Sequence, residues 1–260
     1  MPTAILIDGA FFIKRFRRIE PHNAPDAKRA VEVAFRWAVA HLNEGNGRNG
    51  SKIRHHLYRI FFCDCPPLEL KLHHPITKRS VDLKNSHEAR FRRELHELLK
   101  ARRKVALRLG HLATSTDAYW TIPPGLLQGL LKGKKRLEDI AEHDVFPAAR
   151  QKGVDMRIGV DIASLAFKRQ VDQIVLISGD ADFVPAAKLA RREGIDFVLD
   201  PMWQSISPTL NEHIDGLRST CPRPVVGPRE GDTGALGGGG VGAAPEGATP
   251  AETPPGQHAP

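Results

Sequence analysis

The segment Gln173–Phe183, QIVLISGDADF, constrains this chain more than any other. Its apolar run has the continuity of a strand buried on both faces, as in parallel sheets. The run ends in Ser178-Gly179-Asp180-Ala181-Asp182, so a buried strand delivers two carboxylates at its carboxyl end. In open α/β sheets that end of the strands is where ligands bind. A second apolar run, Ala4–Ile7, ends the same way in Asp8-Gly9. Two strands each tipped with Asp point to a divalent-metal site rather than to scattered surface acids.

Around these runs the pattern alternates between helix and strand. Ala27–Leu42 places Ala30, Val31, Ala34, Ala38 and Leu42 at helical spacing, and Asn85–Leu99 sets Phe91, Leu95, Leu98 and Leu99 on one side. Leu57–Cys63 and Lys104–Leu109 read as strands, Asn43–Ser51 as a loop, and Pro123-Pro124 breaks the chain before Gly125–Leu131. Val184–Arg192 predicts a helix, Asp196–Leu199 a strand and Gln204–Ile214 a last helix. Strands alternating with helices predict an α/β fold with a parallel sheet covered on both faces.

One segment reads two ways. Val154, Met156, Ile158 and Val160 alternate with Asp155, Arg157, Gly159 and Asp161. That period predicts an extended entry, then a helix around Val160–Phe167, with Asp155 and Asp161 both near the mouth of the site. On one continuous helix the two carboxylates would instead stand about 120° apart.

Charge bears on partners. Lys and Arg total 38 against 30 Asp and Glu, a formal +8, which favours a polyanion, with nucleic acid first and an anionic membrane second. Three cysteines, Cys63, Cys65 and Cys221, offer neither a disulfide framework nor zinc spacing. The chain opens on a strand, which leaves no room for a signal peptide, and no apolar run approaches the ~18 residues of a membrane span. A cytoplasmic location is expected. From Pro222 the chain is rich in Gly, Pro and Ala without aromatics, so residues 1–221 are expected to fold and 222–260 to form a disordered tail.

Each carboxylate has a plainer role beside the functional one. Asp8 can cap a helix starting at Ala10, and Asp182 one starting near Phe183. Asp161 can serve as a helix N-terminal carboxylate, and Asp200, before Pro201, as a solvated turn residue. Basic clusters at Arg15, Arg17 and Arg18, at Lys132, Lys134, Lys135 and Arg136, and along Arg90–Lys104 are candidates for holding a nucleic-acid strand. Tyr119 and Trp120 suit base stacking, or core packing in the case of Trp120.

AILIDGAFF, KGVDMRIGVDIASLA and VLISGDADFVPAAKLARREG together resemble the NYN domain, in the LabA-like branch of the PIN-like ribonucleases, across residues 3–200. The resemblance implies a three-layer α/β/α sandwich with a mostly parallel central sheet. It also implies Mg²⁺- or Mn²⁺-dependent hydrolysis of RNA by clustered aspartates. Carried over by motif, Asp8, Asp155, Asp180 and Asp182 become the catalytic and metal-site residues, with Asp161 behind them as a further ligand. Single-stranded or structured RNA is the implied partner. Many relatives carry Asn shortly after the first Asp-Gly; here Ala10-Phe11-Phe12 follows, removing a polar group from that position. The rival readings are a non-catalytic RNA-binding module on the same fold and a small-substrate phosphatase or phosphodiesterase. A Rossmann enzyme is disfavoured because no G-X-G-X-X-G follows a strand.

Overall fold

The computed structural model describes residues 1–43, 55–112, 118–149 and 151–224. The first half runs β1 (Pro2–Asp8), α1 (Gly9–Ile19), α2 (Ala27–Ala40), β2 (His56–Asp64), β3 (Lys71–His73), β4 (Ser80–Asp82), α3 (His87–Ala101) and β5 (Val105–Leu109). Then follow β6 (His111–Leu112), β7 (Ala118–Thr121), α4 (Pro124–Leu131), β8 (Phe146–Ala149) and β9 (Gln151–Lys152). The chain continues with α5 (Val154–Phe167), β10 (Gln173–Ile177), α6 (Val184–Arg192), β11 (Asp196–Asp200), α7 (Pro208–Glu212) and β12 (Gly216–Leu217).

Six strands form the central sheet in the order β12-β11-β10-β1-β2-β5, and every pairing between them is parallel. Successive side chains of a strand point to opposite faces, so both faces need cover. Ile5 and Ile7 of β1, Ile60 and Phe62 of β2, and Val175 and Ile177 of β10 share one core with Phe12, Phe16, Trp37 and Leu95 of α1, α2 and α3. Ala4, Leu6, Phe61, Ile174 and Leu176 face the other core, with Ile158, Ile162, Ala187 and Leu210 of α5, α6 and α7. The result is the expected α/β/α sandwich. Three antiparallel pairs, β3–β4, β6–β9 and β7–β8, sit outside the sheet.

Local chemistry starts the helices where the sequence allows. Asp8, Asp26 and Ser86 accept a hydrogen bond from a first-turn N–H of α1, α2 and α3. Two readings are corrected. The extended entry to α5 is confined to the short β9; Gly153, at φ 79°, turns the chain and the helix starts at Val154. The period-two pattern misled because α5 is apolar on two sides: Val154, Ile158, Ile162 and Leu165 are buried, while Met156 and Val160 are 71% and 57% exposed. The last helix is only Pro208–Glu212, begun by Ser207 as cap, and the short β12 after it adds an edge strand that the sequence did not announce. The Gly/Pro/Ala-rich stretch from residue 225 and most of the Asn43–Ser51 loop lie outside the described residues.

Candidate active site at the carboxyl edge of the sheet

Register alone brings the acids to one edge. Ile7 of β1 lies opposite Ile177 of β10, and Ile177 opposite Asp200 of β11. On the other side Asp8 lies opposite Cys63, one residue before Asp64 of β2. Asp8, Ser178, Asp64 and Asp200 therefore stand at neighbouring strand ends. Asp180 and Asp182 follow within one turn of β10.

Asp8 is both cap and candidate site residue. Its Oδ1 accepts from the Phe11 N–H at 3.1 Å, and its Oδ2 accepts from the Ser178 hydroxyl at 3.3 Å. The buried Ser178 Oγ also accepts from the Asp180 N–H at 3.3 Å, so one hydroxyl ties the two acidic strand ends together. Asp180 Oδ1 accepts from the Asp182 N–H at 3.0 Å. Asp180, not Asp182, is thus the residue that caps the turn into α6, and Asp180, Asp182 and Asp155 are exposed.

The electrostatics are those of like charges held together. The Asp8 carboxyl is pushed up to about 6, chiefly by burial and further by the charges of Asp155 and Asp64; the Phe11 and Ser178 hydrogen bonds oppose the rise. Burial also raises Asp155, and Asp180 and Asp182 push it the same way. Asp8, Asp155, Asp180 and Asp182 thus form one interacting set. Asp161 lies about 120° around the helix from Asp155, and Arg108 donates to it through Nε at 3.0 Å and Nη2 at 3.3 Å. On the continuous helix Asp161 is engaged by Arg108 rather than by the extended entry that the period-two reading gave it.

Among the described residues no group of three or more His, Cys, Asp or Glu side chains is arranged to hold a metal ion. The donor chemistry still fits a hard divalent cation: oxygen ligands only, with Asp155, Asp180 and Asp182 exposed and the carboxyl of the largely buried Asp8 raised further by the negative charges of Asp155 and Asp64.

Asp64 and Asp200 are the acids that the sequence reading underweighted. Asp64 has no exposed surface; its Oδ1 accepts from Arg92 Nη1 at 2.5 Å and its Oδ2 lies 2.8 Å from His96 Nε2. Its place at the end of the LYRIFFCD run was a signal of the same kind as that of Asp8. A Cβ on Gly9 would stand 2.7 Å from the Asp64 Cβ and 2.8 Å from the Cys63 carbonyl oxygen, so the turn after Asp8 rests directly on β2. Asp200 is 1% exposed, not a solvated turn residue. Its Oδ2 lies 2.9 Å from His41 Nε2, and it also accepts from the Met202 N–H and the Thr220 hydroxyl.

The basic candidates divide sharply. Arg15 is 6% exposed and spends its guanidinium on the Met202 carbonyl, through Nε at 3.1 Å and through Nη2, so it is not available to a strand of nucleic acid. Arg17 is engaged by Glu88 at 2.7 Å and lies over the Phe91 ring. Arg92 is sequestered by Asp64 and Glu88. Arg18 is exposed, as are Lys132, Lys134, Lys135 and Arg136 in the turn after α4. Tyr119 is 41% exposed, while Trp120 packs edge-on against His74 at 4.8 Å between ring centroids. Cys63 and Cys65 are buried thiols, pushed by burial up to about 12 and about 11 respectively.

Residues 91–212 match the NYN domain family. The matched segment runs from α3 to α7 and contains Asp155, Asp161, Asp180 and Asp182; β1 with Asp8 precedes it. The NYN match supports a PIN-like nuclease fold at the level of the hydrolase class. A stretch of 69 residues is 38% identical to the uncharacterized protein y4oD of Sinorhizobium fredii, covering 25% of this chain and 32% of that protein. The chain thus spans about a third of the length of this curated relative. The crystal structure of a protein of unknown function, VPA0982 from Vibrio parahaemolyticus, is similar at 15% identity with a TM-score of 0.43, over 83% of this chain and 90% of that one.

Proposed function

We propose that this chain is a Mg²⁺- or Mn²⁺-dependent ribonuclease of the LabA-like kind, acting through Asp8, Asp155, Asp180 and Asp182. The observation that carries the reading is geometric: the Ser178 hydroxyl ties Asp180 to the largely buried carboxyl of Asp8. Burial and like charge disfavour its ionised form, and a bound cation would relieve that cost. A carboxylate cluster repels a phosphodiester, so a bound cation would supply Lewis-acid stabilisation of the phosphoryl oxygens and would lower the pKa of bound water.

The chain's own residues supply position. The Phe11 N–H and Ser178 hydroxyl hold the two Asp8 oxygens, and Asp180 is fixed by its turn to Asp182. Asp8 and Asp180 would hold the ion closely; Asp155 and Asp182, both exposed, would accept hydrogen bonds from water and orient the attacking one. Asp161, tied to Arg108, stays a second-rank ligand. Arg18, Lys132, Lys134, Lys135 and Arg136 would meet the RNA, with Arg17 contributing only if it leaves Glu88.

A second reading, a non-catalytic RNA-binding module, draws on one observation. The Phe11 ring packs at Gly179, with Cε2 3.0 Å from where a Cβ would stand, so an apolar ring occupies the region after the first Asp-Gly. Labelled single-stranded and structured RNA incubated with Mg²⁺, Mn²⁺ or EDTA decides between the two. The nuclease reading predicts metal-dependent cleavage by wild type that Asp180→Asn abolishes. Binding without cleavage under either metal supports the module, and equal cleavage by both proteins contradicts the assigned site.

A further inference from the structure

A groove between α2 and α3 lies at the opposite edge of the sheet from the acids. It has a volume of about 610 Å³ and is lined by Lys28, Val31, Phe35, Leu98, Ala101, Arg102 and Arg103. Its place is fixed by topology: Arg102 and Arg103 follow the last turn of α3 and precede β5, so they sit at the amino end of a strand. The acids sit at the carboxyl ends. The five residues of β5, at roughly 3.3 Å each, set the two apart by about 17 Å along the strand direction.

The chemistry of the groove is one-sided. Its floor is apolar and its three charged residues are all cations; no carboxylate lines it. Elsewhere on the same helices most basic residues are neutralised: Arg92 by Asp64 and Glu88, Lys100 by Glu97, and Arg29 and Arg36 by Glu32, whereas Arg90 meets His87. Lys28, Arg102 and Arg103 have no carboxylate partner among the described residues, and all three are exposed. The Arg102 guanidinium lies over the Phe35 ring, 4.2 Å from its centroid, a cation–π contact made by a residue that is exposed.

We propose that this groove is a second binding site for a single-stranded nucleic acid. Lys28 and Arg103 would meet phosphodiesters, and a base would stack on the Phe35-supported plane of Arg102. Guanidinium planes and aromatic rings above an apolar floor suit an unstacked base, whereas a lipid headgroup would use only the charge. The choice of polyanion rests on the nucleic-acid reading above, but the site is distinct from the acids and does not depend on cleavage. It would retain a long strand while its other end lies at the carboxyl edge.

The test uses the full chain in EDTA with a fluorescent single-stranded RNA of about 30 nucleotides, longer than the ~4–16 that one small domain covers. The variants are Arg102→Glu/Arg103→Glu and, as a milder pair, Lys28→Ala/Arg103→Ala, each checked by thermal melting. The expected result is about tenfold weaker binding for the charge reversal. The slope of log K against log salt is expected to fall by about 2, with a smaller loss for the alanine pair. Unchanged affinity in a folded variant overturns the proposal. So does a loss confined to phosphatidylserine vesicles, which would mark a lipid surface. If the charge reversal fails to fold, the alanine pair decides on the same criteria. Where wild type cleaves RNA, KM for the long strand should rise with kcat retained. Absence of cleavage in wild type would sink the nuclease reading and leave this binding result standing.

Discussion

Arg92 Nη1 donates to Asp64 Oδ1 at 2.5 Å, directly below the turn that presents Asp8. Asp64 has no exposed surface and Arg92 is 8% exposed, so the pair is desolvated. Breaking such a pair from one side leaves a buried charge without compensation, which costs about 3–5 kcal/mol. Arg92→Ala is expected to lose that much in urea denaturation, with His96 and Glu88 unable to replace the guanidinium.

Two glycines should respond in opposite directions. A Cβ on Gly9 would meet Asp64 Cβ and Phe62 Cε1 at 2.7 Å, so Gly9→Ala is expected to destabilise by about 1–3 kcal/mol and to lower any cleavage by shifting Asp8. On α5, nothing lies within 4 Å of a Cβ on Gly159. Gly159→Ala is expected to stabilise by about 0.5–1 kcal/mol through helix propensity. Thermal melts of the two variants beside wild type check both signs.

The pH dependence of the metal-free protein carries the signature of Asp8. Its carboxyl goes from 3.8 to about 6 on folding, so the folded state holds the proton more tightly. Stability therefore falls as pH rises from about 3.8 towards 6, and the deficit is complete above that window. Asp8→Asn removes the titration. It is expected to be about 2–3 kcal/mol more stable than wild type near neutral pH. The difference should close below about pH 4 in urea melts at the two pH values.

Exposed and buried cations should separate in RNA binding. Lys134→Glu/Lys135→Glu changes residues in full contact with solvent and is expected to reduce the salt slope of binding by about 2 with little change in stability. Arg15→Ala is expected to do the reverse, lowering the melting temperature while leaving the slope unchanged, because its donors serve the Met202 carbonyl. Anisotropy titrations at several salt concentrations distinguish the two.

How much of this was legible in the sequence follows from where each signal is local. The strands AILI and IVLI announce themselves because a parallel strand buried on both faces is apolar at every position. The acids at their ends follow from chain order alone, and the Asp8 cap from its place before α1. What was not legible depended on partners distant in sequence. Arg15 and Arg18 look alike as residues, yet only Arg15 meets Met202, 187 positions away. Asp200 reads as a turn residue until His41, 159 positions away, closes on it. The α5 entry failed for another reason: an outward apolar stripe of Met156 and Val160 beside the buried one mimics a strand's alternation.

The central claim is that acids from three separate segments act as one cation site. Titration of Mn²⁺ into the full chain, followed by the loss of the free-ion paramagnetic resonance signal, tests it most directly. Wild type is expected to bind, and Asp8→Asn, Asp155→Asn and Asp180→Asn are each expected to weaken binding by tenfold or more, roughly the cost of losing one charged ligand. Binding that all three variants retain at wild-type strength would contradict the account.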